Sequence, residues 1–218
     1  MTRKIFWEDP YQTKCTAKVR EINGNKVKLD QTIFFAFSGG QESDQGTIGG
    51  ITVVNAVKFG DKESIIDIEY ELKKEPSFKG GDEVEIIING ERRAKLRNLH
   101  SAAHILYYFI TDKIGPIKII GSHIAEDKAR IDFRYDKPIT EVIVEIEKEV
   151  NIFLGQAHSI LMKEDPEKKD LRWWTCGKWK MPCGGTHPKS TKEIGKIELR
   201  RKNIGAGKER IEIRLKED

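Results

Sequence analysis

His100 and His104 stand four residues apart in the segment His100-Ser101-Ala102-Ala103-His104. On a helix this spacing puts both imidazoles on one face, one turn apart, where two nitrogens can reach one metal ion. A second pair, Cys183 and His187, stands in Pro182-Cys183-Gly184-Gly185-Thr186-His187-Pro188. Its two glycines let the backbone turn sharply and approach closely, and the prolines stiffen both ends. Taken alone, the first pair reads equally well as two polar helix residues, and the second as a Cys and a His that fall in a loop. Together they gather three of the five histidines and one of the three cysteines into two compact pairs. Three imidazoles and one thiolate are borderline-soft donors that suit a single Zn²⁺ per chain.

The helix pair is not His-Glu-x-x-His. Ser101, Ala102 and Ala103 fill its middle, so no general base is built in beside the metal as in a zinc protease. Four protein ligands normally close a structural site, whereas catalytic zinc keeps one position open. Three arrangements stay open: one ligand binds loosely, or the metal positions a substrate without making the nucleophile, or the site is structural. The identity of a catalytic residue is unknown at this level. Cys176 reads as a free thiol near the site, and His123 and His158 as packing or solvent-facing residues in strand-like segments. Trp173, Trp174 and Trp179 read as core before base-stacking platforms.

These residues need elements to position them. The first pair requires a helix, and residues 91–113 supply its pattern: Leu96, Leu99, Ala103, Leu106 and Ile110 form an apolar stripe of period 3.6, ended by Gly115-Pro116. A second helix is expected over Thr140–Leu154, with strands over Lys118–Ala125, Ala129–Tyr135 and Ser159–Lys163. The stretch around the tryptophans reads as irregular. A final hairpin pairs Lys196–Lys202 with Glu209–Leu215 through Gly205-Ala206-Gly207. The first ninety residues read as strands: Thr13–Ile22 and Lys26–Phe35 flank Asn23-Gly24-Asn25, Ile51–Phe59 and Ser64–Leu72 flank Gly60-Asp61, and Val84–Asn89 follows Gly80-Gly81. The glycine-rich loop over residues 37–50 is too long for a simple turn. The expected fold is α+β: a small β-barrel-like N-terminal domain over residues 1–90, then an α+β domain over 91–218 with helices packed on an antiparallel sheet.

Charge sharpens this division. The 218 residues carry a net +4. Residues 1–90 carry 12 basic and 15 acidic side chains, and residues 91–218 carry 27 and 20. The stretch 173–210, with 10 basic and 3 acidic residues, holds the whole excess. Such a stretch is either a footprint for phosphates or the solvated surface of a Lys-rich protein. Three cysteines do not make a disulfide framework. The N-terminus has no apolar signal core and no apolar run approaches the ~20 residues of a membrane span. A soluble, cytoplasmic chain is expected, with no membrane or DNA partner.

With the motifs in place, the chain resembles the editing domain of alanyl-tRNA synthetase and its free-standing AlaX relatives. The resemblance rests on HSAAH at 100–104 and CGGTH at 183–187. It extends to FSGGQESDQGTI at 37–48, GSHIAEDKARIDF at 121–133 and EIGKIEL at 193–199, so it covers nearly the whole chain. With no synthetase activation module before it and no long extension after it, the chain is similar to the medium-length free-standing members. The resemblance implies hydrolysis of the ester of tRNA(Ala) mischarged with serine or glycine. It implies zinc ligation by His100, His104, Cys183 and His187, and it places Gly39, Gly40 and Gln41 near the aminoacyl pocket. Thr186 has a hydroxyl that either faces the substrate or bonds its own loop. Lys178, Lys180, Lys189, Lys192, Arg200 and Arg201 are the candidate tRNA contacts. Ile131 departs from the aromatic residue common in the synthetases, a change expected to affect packing. The logic of a checkpoint is general: a synthetic pocket cannot strongly exclude a residue smaller than its substrate or an isostere with an added hydroxyl. Two other readings stand beside this one, a zinc-stabilised RNA-binding module without catalysis and an editing hydrolase for another aminoacyl-tRNA.

Overall fold

The computed structural model describes residues 1–60, 65–168, 170–205 and 207–216. In its first part the chain runs β1 (Arg3–Lys4), α1 (Ile5–Glu8), β2 (Lys14–Asn23), β3 (Lys26–Leu29), β4 (Gln31–Thr32), β5 (Gly46–Ile48), β6 (Ile51–Gly60), β7 (Ile65–Leu72) and β8 (Glu83–Ile88). It continues through α2 (Gly90–Ile114), β9 (Lys118–Ile124), β10 (Ala129–Arg134), α3 (Thr140–Gly155), β11 (Ile160–Glu164), β12 (Arg172–Cys176), β13 (Trp179–Pro182), a 3₁₀ turn (Thr191–Ile194), β14 (Ile197–Asn203) and β15 (Lys208–Leu215).

Alternation builds the first half. In β2, Cys15, Ala17 and Val19 are buried and the residues between them exposed, and in β8 Val84, Ile86 and Ile88 are buried in the same way. Strands β2, β3, β7, β6, β5 and β8 hydrogen-bond in that order and close on themselves, β2 pairing with both β3 and β8. Their inward residues, with Ile33, Phe34 and Phe35, form one core. The expected strand over 26–35 breaks at Asp30. Its carboxylate accepts from Lys18 N at 2.8 Å, and the chain leaves the ring to pair in parallel with β1. The apolar run 33–36 is then buried on all sides and does not alternate. The glycine-rich loop contains β5, the short strand that closes the ring between β6 and β8. Three residues are too few to display a period. The turn expected at Gly60-Asp61 lies partly outside the described residues, as do Ser64, at the start of an expected strand, and Ala206 in the final hairpin turn.

The second core forms around α2. Asn89 caps the helix, its side chain accepting from Arg92 N at 3.0 Å, and Leu96, Leu99, Ala103, Leu106 and Ile110 are all buried as the stripe requires. Burial extends beyond the stripe to Arg92, Arg93 and Arg97 in the first two turns. Arg93 donates from Nε to Asp44 Oδ1 at 2.8 Å and from Nη2 to Ile33 O at 2.6 Å, and Nη2 also contacts Asp44 Oδ2. One end of α2 is thereby tied to the loop of the first ring. The rest packs on α3 and on the antiparallel sheet β14-β15-β10-β9. Among the described residues the architecture is mixed α+β with mostly antiparallel strands and three helices, the third being the single turn α1. Residues 172–182, expected to be irregular, form the hairpin β12–β13, extended by β11. Its inward residues are Arg172, Trp174 and Cys176, and the arginine at an inward position hides the period in the sequence. Among the described residues no helix is long and apolar enough to cross a membrane.

Candidate metal centre

One turn of α2 separates His100 from His104, and their ring centroids lie 4.7 Å apart. The β12–β13 hairpin brings in the other pair. Pairing continues one residue past β13, where Cys183 N donates to Arg172 O at 2.8 Å, and the chain then turns over α2. Cys183 Sγ lies 3.2 Å from His187 Nε2 and 3.6 Å from His100 Nε2. One ligand atom from each of His100, His104, Cys183 and His187 falls within 4.8 Å of the others, so the four can hold a metal ion. Gly185 makes this approach possible: a Cβ there would stand 2.3 Å from His100 Cε1.

Neighbouring groups orient the rings. Thr186 N donates to Gln41 Oε1 at 3.0 Å, which fixes the amide of Gln41, since a backbone N–H can only donate. His100 Nδ1, 2.8 Å from the same oxygen, must therefore donate as well, leaving its Nε2 lone pair toward Cys183. The Gln41 amide donates to Thr186 Oγ1 at 2.9 Å. On the other side, Ser101 Oγ accepts from Trp174 Nε1 at 3.3 Å and lies 2.8 Å from His187 Nδ1. His104 Nδ1 is buried with no hydrogen-bond partner among the described residues, an orphaned polar atom beside the cluster. Such second contacts set tautomer and ring orientation in metal sites.

Burial lowers the pKa of His100 to about 4, and it drives His104 and His187 well below the usual histidine value. All three are neutral at pH 7, the form that ligates. The same burial pushes the Cys183 thiol up to about 12. A bound divalent cation reverses that penalty, because it binds the thiolate. The donor set, the ring orientations and the orphaned His104 nitrogen all fit a metal ion.

The N-terminal segment straps the ligand loop down. Trp7 Nε1 donates to Gly184 O at 2.8 Å. Tyr11 OH bonds the Glu193 carboxylate at 2.7 and 2.8 Å and accepts from Lys189 N at 2.8 Å. The Arg97 guanidinium stacks 3.8 Å over the Tyr11 ring. Neither Trp7 nor Tyr11 belongs to a recognisable motif, and sequence reasoning missed both, along with Ser101 as a ring-orienting group.

Two cavities meet at His100 and His104. One, of about 490 Å³, is lined by Gly39, His100 and His104 together with Tyr107, Tyr108 and Met181. Ile131 lies in its wall, so the departure noted there changes the surface of the cavity. Of the residues expected near the substrate, Gly39 lines this cavity. Gln41 and Thr186 are fully buried and bonded to each other. Gly40 (φ 88°) packs so closely on β9 that a Cβ would stand 2.9 Å from Ser122 O. The candidate RNA contacts fall on three elements. Lys178 lies in the β12–β13 turn and Lys180 on β13, in the cavity wall, and Lys189 and Lys192 flank Ser190 beside the ligand loop. On β14, Arg200 pairs with Glu198 and Arg201 with Glu209. Cys176 is buried in the core, His123 lies 3.4 Å from Glu42, and His158 stacks on Phe153.

Residues 171–212 match the model of the threonyl and alanyl tRNA synthetase second additional domain. The chain is 35% identical over 99% of its length to the alanyl-tRNA editing protein AlaX-M of Pyrococcus horikoshii, of which it covers 98%. It is 31% identical over 97% of its length to the alanine–tRNA ligase of Methanocorpusculum labreanum. The corresponding figures for the ligase of Pyrobaculum aerophilum are 33% and 92%. It spans 25% of the length of each ligase.

Proposed function

The chain belongs to the alanyl-tRNA editing protein family, AlaX, and from that membership we propose that it is a deacylase acting in the cytoplasm on tRNA(Ala) mischarged with serine or glycine. The observation that carries this reading is the convergence of His100, His104, Cys183 and His187 beside a cavity large enough for a nucleoside. Residues 1–90 and 91–218 are taken as the two working units, the second holding the metal and the first contributing the Gly39–Gln41 segment. One zinc held by the four side chains would supply a fixed positive charge to orient the aminoacyl end of the RNA. The backbone N–H groups of the two glycine-rich segments favour the oxyanion that develops as water attacks the ester carbonyl. Gln41 holds His100 in one tautomer, and it holds Thr186 at the ligand loop. Gln41 and Thr186 thus act on the substrate through the shape of the site. Lys178, Lys180, Lys189 and Lys192 would meet acceptor-strand phosphates, with Arg200 and Arg201 further along the same basic stretch.

The test is release of free serine or glycine from Ser-tRNA(Ala) and Gly-tRNA(Ala) by the purified, zinc-loaded protein. Turnover on these substrates with none on Ala-tRNA(Ala) is expected. RNA binding without turnover would instead favour a binding module. The Cys183→Ala/His187→Ala double variant is expected to lose both its zinc and its hydrolysis. Unchanged hydrolysis in a zinc-free double variant would remove the metal from the reaction.

A further inference from the structure

The second cavity at the metal centre, of about 450 Å³, shares Gly39, His100, His104 and Pro182 with the first but differs in chemistry. Trp7, Lys58, Arg172 and the loop Cys183–Gly185 line it. Lys58 comes from β6 of the closed ring. Its Nζ donates to Ser38 Oγ at 2.8 Å and makes no ion pair among the described residues. Arg172 is 7% exposed. Its Nη1 pairs with Glu164 at 2.9 Å, its Nη2 donates to Trp7 O at 3.2 Å, and its Nε is buried with no partner among the described residues. Asp170 also lines this cavity, but Lys4 Nζ bonds it at 3.2 Å and offsets its charge. What remains is the Lys58 ammonium, with no ion pair among the described residues, beside the backbone of Gly184. That is a cradle for an anion with several acceptor oxygens.

We infer that this cavity binds a phosphodiester of the RNA 3′ end, a step that rests on the aminoacyl-tRNA reading above. In a terminal nucleotide the ribose carries the base on one side and the phosphate on the other, with the aminoacyl ester between them. Two cavities joined along His100 and His104 match that arrangement, one with aromatic and apolar walls for the base and one cationic for the phosphate. Lys58 is then a substrate-binding residue supplied by the N-terminal ring.

The experiment uses the zinc-loaded full chain with two probes: the dinucleotide cytidylyl-(3′→5′)-adenosine, which has one phosphodiester, and adenosine, which has none. Wild type is expected to bind the dinucleotide at least about tenfold more tightly, with a salt slope near that of a single phosphate contact. Lys58→Met is expected to erase that preference while leaving zinc content and adenosine affinity unchanged, and Lys58→Arg to restore most of it. Equal dinucleotide affinity in wild type and Lys58→Met overturns the inference, as does a wild type with no preference. A second measurement separates it from the function it rests on. Normal turnover by wild type with an unchanged KM for misacylated tRNA in Lys58→Met removes the phosphate site alone. A Lys58-dependent dinucleotide preference with no serine or glycine release removes the editing reading alone.

Discussion

Gln41 Oε1 lies 2.8 Å from His100 Nδ1, joining the glycine-rich segment of the closed ring to the first candidate metal ligand on α2. The bond sets the tautomer of His100, and the same oxygen also receives Thr186 N. Gln41→Ala is therefore expected to weaken zinc binding by about 10–100-fold, the usual effect of removing such a support. Competition with a chromophoric chelator measures it. Zinc affinity equal to that of wild type would show that the loop alone orients the ring.

The bond from Trp7 Nε1 to Gly184 O fixes the ligand loop from outside. Trp7→Phe keeps an aromatic ring and removes this donor, a loss of about 1 kcal/mol. Zinc release into excess chelator should speed up several-fold, with the far-ultraviolet circular dichroism unchanged. An unaltered release rate would mean that the strap carries no strain from the loop.

Arg93 and Asp44 form a buried pair, with Arg93 1% exposed and Asp44 5% exposed. Asp44→Asn leaves a buried guanidinium without its counter-charge, and a destabilisation of about 3–5 kcal/mol is expected in urea unfolding. The double variant Arg93→Met/Asp44→Leu, which removes both charges, should recover much of it. A single variant as stable as wild type would contradict the tie between α2 and the ring.

Burial lowers the His100 pKa to about 4 in the folded protein, against about 6.5 in an unfolded chain. The unfolded state therefore binds the extra proton first. The stability that goes with neutral His100 is complete above pH 6.5 and is lost as the pH falls toward 4, by up to about 3 kcal/mol. In metal-free protein, the stability advantage of wild type over His100→Gln should shrink across that window. An advantage independent of pH between 6.5 and 4 would show that the ring is not held neutral by burial.

Much of this was legible in the residues themselves. Leu96 to Ile110 announced α2 by their period, and the two short motifs announced the metal cluster, because ligand types and spacings are local facts. The hairpin β12–β13 was not legible, since Arg172 at an inward position breaks the apolar alternation. Strand β5 was too short to show a period. The roles of Trp7, Lys58 and Ser101 could not be read because each depends on a partner far along the chain, and a lone Trp, Lys or Ser looks the same in a core, on a surface or beside a metal. Gln41 and Thr186 were picked out as neighbours of the site. Only the packing shows that they are bonded to each other and fully buried.

The separation of the two ligand pairs bears on how the molecule comes into being. His100 and Cys183 are 83 residues apart, and the loop that carries Cys183 is held by Trp7 and Tyr11 from near the other end of the chain. During synthesis the helix with its two imidazoles is complete well before the second pair exists, and two neutral imidazoles alone hold zinc weakly. An ion held by all four side chains could not template early folding. It would be captured last, after the long-range pairings have formed, which is the slow part of folding for such a topology. Such an ion would act as a final lock, and a chain that fails to close either end would not retain it.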